Sequence, residues 1–330
     1  MNPNHVIEKI LASRKIIPAK EKGEAYAPSN IALAKYWGKR DTQLNLPVTS
    51  SLSISLHDKG SFTTVSASSV NQDILFLNSR KVPADKNFAQ RLSCYLDLFR
   101  PTKDFYFTIE TTNTIPVAAG LASSASGFAA LILALNDFFA WQLDDQSLSQ
   151  LARLGSGSAA RSLWQGFVEW HAGKAIDGSD CFAEKLPYTW PTLRIGLLIV
   201  SDLEKKISSR EAMKICQQTS PFYDVWPTHV AQTIETLHKA IQQQDINLLG
   251  QTAEQNALAM HATMLTSNPP FCYWQTETLT TMQKIWSLRE RKVPVYFTED
   301  AGPNLKLLFN EEILNLVREE FPLIDIVEPF

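Results

Sequence analysis

The chain has 330 residues, 45% hydrophobic and 20% charged, with a formal net charge of −3. That length exceeds what one hydrophobic core usually organises, so the sequence predicts two lobes. The near-neutral balance supplies no basic field to attract nucleic acid or anionic lipid, and no apolar run is long enough to span a bilayer.

In chain order, residues 1–23 are polar and charged without a central apolar block. This argues against a secretory leader, and the segment reads as a mobile or loosely docked extension. AYAPSNIALAKYWGK then begins ordered structure as a strand running into a loop; the alternative is a helix carrying Lys35 and Lys39 on one face. SLSISLHD (51–58) alternates with period two and reads as a half-buried strand. SFTTVSAS and DILFLNS continue a β meander, and DFYFTIETTN (104–113) adds a strand. Residues 87–99 and 121–141 have helical spacing, and the second is apolar on nearly every side, which places it deep in its lobe.

Beyond SLSQLARLGSGSAARSLWQGFVEW, RIGLLIVSD (194–202) reads as a strand, followed by helices at about 222–242 and 246–261. VPVYFTED and NLKLLF flank a Gly-Pro turn, before a terminal helix and IDIVEPF. Strands and helices come in clusters without a β-α-β-α rhythm, which favours an α+β fold over a doubly wound sheet. A weak composition shift around KLPYTWPTL (185–193) sets the expected boundary, giving lobes 1–190 and 191–330. Cys94, Cys181, Cys216 and Cys272 form no C-x-x-C pair and the histidines no H-E-x-x-H. That argues against a zinc or redox centre and for reduced thiols in the cytoplasm.

Four stretches carry chemistry. VAAGLASSASGFAAL sets small residues and Ser123, Ser124 and Ser126 before a buried helix. Unpartnered amides at a helix start, with the helix dipole, can hold phosphate without a lysine, though close helix packing uses the same residues. GSGSAARS puts Ser156 and Ser158 at an apparent helix start, with Arg161 three residues after Ser158 on the same face. Arg161 could grip a carboxylate or phosphate through two parallel bonds; a plain N-cap with a surface arginine is the simpler reading. SNIALAKYWGKRD gathers Asn30, Lys35, Tyr36, Lys39 and Arg40, as either a polyphosphate site or a solvated strand end. In YFTEDAGPN, Tyr296, Thr298 and Asp300 share a strand face, so Asp300 ends the strand before Gly302-Pro303, presented to a cleft or bonded to its own turn. Together the four suggest phosphoryl transfer from a nucleotide to a small anion.

These blocks, with LPVTSSLSISL, closely resemble the diphosphomevalonate decarboxylase family of the GHMP kinase superfamily, in family order from about residue 25 onward. The resemblance implies a two-lobed GHMP kinase-like α+β fold with the active site in the inter-lobe cleft. It implies ATP and Mg2+, mevalonate 5-diphosphate as substrate, decarboxylation to isopentenyl diphosphate, and a homodimer with no nucleic-acid or membrane partner. By motif matching, Asp300 resembles the catalytic aspartate, Arg161 the arginine holding the substrate carboxylate, and Lys35 and Asn30 residues near the reacting centre. Tyr36, Trp37, Gly38, Lys39, Ser156, Gly157 and Ser158 match substrate-holding positions, joined by Ser209 and Arg210. Ala119, Gly120, Leu121, Ala122, Ser123 and Ser124 match the nucleotide phosphate loop. No magnesium ligand is assigned, Ser124 being a candidate, and residues 78–95 yield no site residue. The rivals are a monophosphate decarboxylase or a related kinase, and a catalytically dead nucleotide-binding regulator. Ser156, Ser158, Lys39 and Arg210 outnumber what one phosphate requires, and Asp300, Lys35 and Arg161 would be idle in a regulator.

Overall fold

The computed structural model describes residues 2–12, 14, 16–114, 123–201 and 206–330, and of Ser123 only the backbone. Helix α1 (Pro3–Leu11) precedes β1 (Lys22–Ala34) and a small hairpin, β2 (Lys39–Asp41) with β3 (Leu46–Pro47). β4 (Ser51–Ala67), β5 (Ile74–Leu77) and β6 (Arg80–Lys81) lead to α2 (Asn87–Leu96) and β7 (Phe107–Asn113). α3 (Ser123–Phe138), α4 (Asp145–Gly155), β8 (Phe167–Trp170) and β9 (Ala183–Lys185) complete the first half. The second half runs β10 (Leu193–Leu198), α5 (Ser209–Thr219), α6 (Trp226–Gln243), α7 (Ile246–Leu265), α8 (Thr276–Glu290), β11 (Tyr296–Glu299), β12 (Leu305–Asn310), α9 (Leu314–Glu320) and β13 (Asp325–Val327). The architecture is α+β, as the clustered order of elements implied.

The first sheet is organised by β4, one 17-residue strand where the sequence suggested two. Its start pairs with β8, its end with β7, and β1 runs antiparallel along it. Gly60 permits that approach, since a Cβ there would lie 2.2 Å from the Ala27 carbonyl oxygen. Residues 51–56 are buried on both faces rather than half-buried. Leu52, Ile54 and Leu56 enter the core, while the opposite face is closed by small hydroxyls, Ser55 accepting from the Gly166 amide at 2.8 Å. Beneath this sheet α3 is sheathed in apolar contacts, with Ala129, Ala130, Ile132 and Leu135 essentially inaccessible.

The second sheet, ordered β11-β12-β10-β13, is antiparallel throughout. A single apolar cluster joins both halves: Ile31, Leu33 and Ile54 from the first sheet meet Ile195 from the second through Val230 and Leu249 of α6 and α7. The N-terminal extension departs from expectation. Its helix is capped by Asn2 and buries Val6, Ile7 and Leu11, an apolar stripe that docks it on the first lobe. GSGSAARS also differs: it follows the C-terminus of α4 and forms a short 3-10 turn at Gly157–Arg161, not the start of an α-helix. Helices α5 and α8, not anticipated from the sequence, present only narrow apolar stripes, such as Ala212, Met213 and Cys216 on α5.

Candidate active site

A cleft of about 1210 Å³ opens between the two halves. Two strand ends meet in it. Lys35 follows β1 directly, and Asp300 follows β11 directly. The Lys35 ammonium donates to Asp300 Oδ1 at 2.9 Å and to the Ala32 carbonyl at 2.8 Å, while its backbone amide donates to Asn256 of α7 at 2.8 Å. The other Asp300 oxygen lies 3.1 Å from Lys306 Nζ. Burial by itself would raise the Asp300 carboxyl, but the charges of Lys306 and Lys35 outweigh it and hold the group well below the usual carboxylate range. Burial lowers Lys35, with Asp300 opposing. Asp300 keeps 29% of its side chain exposed and lines the cleft, an anion fixed from behind and open in front.

Facing it, Arg161 is 3% exposed. Its guanidinium donates to the Ser51 hydroxyl and, at 3.4 Å, to Asn30 Oδ1, and its carbon stands 5.8 Å over the Trp170 ring. Burial lowers Arg161 to about 10, so it stays charged at neutral pH. Its Nε and the nearby Tyr36 hydroxyl are buried without a partner among the described residues. Two orphaned polar atoms, one on a cation, suit an incoming anion. Asn30 is fixed by donating to Ser162 Oγ at 2.7 Å. Gly157 lets Tyr36 lie close, since a Cβ there would stand 2.8 Å from the phenol oxygen.

Toward the mouth the cations separate from the acids. Lys39 donates to Asn45 at 2.5 Å; burial lowers it to about 8, and Arg210 and Arg91 push it the same way. Burial and Arg210 also lower Arg91. No carboxylate among the described residues offsets this group. Ser156 and Ser158, 3.3 Å apart, line the cleft with Ser209 and Arg210 from the first turn of α5. Such an unneutralised set is built for a multiply charged anion.

Other expected residues are placed differently. Trp37 borders the cleft, yet its indole is 2% exposed in the shared core and donates to Thr263. Gly38 is buried at φ +119°, where a Cβ would fall 1.6 Å from the Tyr223 oxygen, so it shapes the backbone. Ser126 is turned into the sheet, bonded to Ser29 and Ser61 at 3.1 and 2.8 Å, and offers no hydroxyl to the cleft. Arg40 donates away from the cleft to the Ala172 and Ala175 carbonyls at 3.2 and 3.1 Å. Ala119, Gly120, Leu121 and Ala122 lie outside the described residues, as does the side chain of Ser123. Ser124, in the first turn of α3, borders both the cleft and a smaller apolar pocket lined by Leu77, Phe88, Leu92 and Phe128. Among the described residues no group of three His, Cys, Asp or Glu could hold a metal.

Sequence reasoning missed one wall altogether. Asn87, Gln90, Arg91 and Cys94 line the cleft from α2, within the stretch that yielded no site residue. Their spacing was a legible signal: a polar stripe opposite Leu92, Tyr95 and Leu96. Lys306 was also missed, although a lysine inside NLKLLF breaks an apolar strand.

Both halves of the chain match known protein families. The diphosphomevalonate decarboxylase-like N-terminal domain matches residues 27–183, and the mevalonate 5-diphosphate decarboxylase C-terminal domain matches residues 195–328. Diphosphomevalonate decarboxylase of Saccharomyces cerevisiae is 35% identical over 307 residues, 87% of this chain and 77% of the yeast protein. The crystal structure of mevalonate diphosphate decarboxylase from Staphylococcus aureus superposes with a TM-score of 0.88 at 37% identity, covering 94% of this chain and 96% of that one. The structure of MDDEF in complex with MVAPP, AMPPCP and magnesium gives a TM-score of 0.85 at 36% identity, covering 93% and 96%.

Proposed function

This chain belongs to the diphosphomevalonate decarboxylase family, and on that premise we propose how its residues divide the work. It catalyses the ATP- and Mg2+-dependent decarboxylation of mevalonate 5-diphosphate to isopentenyl diphosphate, releasing ADP, phosphate and carbon dioxide in the mevalonate pathway. The observation that carries the assignment of roles is Asp300, held as an anion between Lys35 and Lys306 and directed into a cleft that also holds Arg161.

A tertiary hydroxyl is a poor leaving group, so it is phosphorylated first. Asp300 accepts the hydrogen bond of that hydroxyl and aims its oxygen at the nucleotide. Lys35, beside it, adds positive charge where phosphate charge builds up. When the new phosphate leaves with its bonding electrons, positive charge develops at the carbon beta to the carboxylate. Cleavage of the carbon–carboxylate bond returns an electron pair to form the alkene and frees carbon dioxide. Arg161, steadied by Ser51 and Asn30, holds the carboxylate in the orientation this cleavage needs. Tyr36, Lys39, Ser156, Ser158, Ser209, Arg210 and the newly placed Arg91 hold the diphosphate. The backbone at Gly38, Gly157 and Trp37 shapes their cradle. The segment 119–122, with Ser123 and Ser124, takes the nucleotide phosphates at the start of α3.

The test is a coupled assay that follows ADP and carbon dioxide together. One-to-one release is expected; ADP without carbon dioxide would make the protein a kinase. Faster turnover of mevalonate monophosphate than of the diphosphate would identify a phosphomevalonate decarboxylase. The lobe boundary is placed between residues 190 and 191, a position supported by the gap between β9, ending at Lys185, and β10, starting at Leu193. A cytoplasmic homodimer acting on small molecules, without nucleic-acid or membrane partners, completes the proposal. It is supported by the family resemblance and by four free cysteines, and light scattering should read twice the 37.0 kDa chain mass.

A further inference from the structure

Lys306 is 2% exposed and is absent from the cleft wall. It sits on β12 directly across from Thr298 of β11, and Thr298 shares a strand face with Asp300 two residues on. Its neighbours Leu305, Leu307 and Phe309 point the other way, into the second lobe's apolar cluster. A lysine on the buried side of such a strand is costly unless its ammonium is paired. Here it reaches Asp300 Oδ2 at 3.1 Å and donates to the Asn304 carbonyl at 3.2 Å.

The terminal torsion of an aspartate is broad and nearly two-fold, so one lysine on one oxygen does not fix the carboxylate plane. Two lysines on opposite oxygens do. We propose that Lys306 is a positioning residue for the phosphorylation step, locking the plane and the charge of Asp300 from behind without touching substrate. The other charged groups around Asp300 leave this task to it. Lys35 approaches the opposite oxygen from the end of β1. Arg161 acts on Asp300 only through its charge. His261 of α7 bonds the Asp300 backbone carbonyl at 3.1 Å, and burial holds its imidazole down to about 3, so it stays neutral. Glu299, fully buried against the Trp274 indole at 2.8 Å, is pushed up to about 8 by burial. The positive charge behind Asp300 is therefore supplied by Lys306.

The inference rests on the assignment of Asp300 above, and the wild-type protein separates the two: absence of ATP-dependent carbon dioxide release overturns the functional reading, not this one. In an active wild-type background, Lys306→Met should lower kcat roughly 100-fold, as misplacement of a reacting group does, with KM for both substrates within about threefold. The acid limb of its kcat/KM profile should move up by at least about one pH unit, because Asp300 loses one of the two charges that depress it. Lys306→Arg, which restores a cation, should recover most of kcat and return the limb downward. Lys306→Gln replaces Lys306→Met if the latter does not fold, with the same expected loss and shift. An unmoved acid limb, equal changes in KM and kcat, or an Arg variant no better than Met would overturn the proposal.

Discussion

The two ends of the cleft treat charge in opposite ways. Around Asp300 the charges are buried and paired, two lysines, Lys35 and Lys306, holding one carboxylate and a neutral His261 on its carbonyl. At the mouth, Arg210 and Arg91 help lower Lys39 and Arg210 helps lower Arg91, with no offsetting carboxylate among the described residues. Paired buried charge costs desolvation but fixes geometry, which suits a reacting group. Unmatched, partly solvated charge fixes little until its partner arrives, which suits capture of a substrate. On the roles proposed above, the difference teaches that rate and affinity are built at separate ends of one cleft.

Loss of the paired end should have the largest effect. Asp300→Ala is expected to lower kcat by roughly 10²–10⁴ while KM for both substrates stays within about threefold, measured by steady-state kinetics. Near-normal turnover would remove Asp300 from the mechanism. Next, Lys39→Met or Arg210→Met should raise KM for the diphosphate roughly 10- to 100-fold, the loss of one charge-assisted contact, with kcat little altered. In Lys39→Met the preference for diphosphate over monophosphate should shrink. A fall in kcat equal to the rise in KM would erase the division between the ends.

The pH profile sharpens the same contrast. In the proposed role Lys39 binds as a cation, and burial lowers it to about 8, so substrate capture should be full below that pH and lost as pH rises through it. The expected outcome is a basic limb near pH 8 in kcat/KM, absent from kcat once substrate is bound. Arg210→Met should move that limb upward, because one repelling charge is gone. The smallest effect is expected from salt. Raising ionic strength from about 0.05 to 0.5 M should increase KM a few-fold by screening the mouth and leave kcat nearly unchanged.

The sequence made the reacting end more legible than the walls around it. Asp300 could be read from its place after a strand and before the Gly302-Pro303 turn, and both it and Lys35 from motif blocks that resemble the family's. Their meeting could not, since 265 residues separate them and only the packing of β1, α7 and β11 joins the ends. Arg91 was missed because its segment matched no motif, although the polar stripe of α2 was present in the spacing. Lys306 escaped for a different reason: its role depends on the register that sets it beside Thr298, which no single-strand pattern contains. The extension was misread because its composition is polar overall, while Val6, Ile7 and Leu11 carry the docking. At Ser126 the local cue, a hydroxyl near a helix start, was overridden by tertiary bonds to Ser29 and Ser61.

The apolar cluster that runs from Ile31 and Ile54 through Val230 and Leu249 to Ile195 sets a mechanical consequence. Swinging one half away from the other would bring these side chains into water at about 25 cal/mol per Å² of apolar surface, a penalty that climbs with every degree of opening. The molecule is hinged shut along its spine. Traffic of substrates and products must pass the rim instead, where α2 stands outside that cluster.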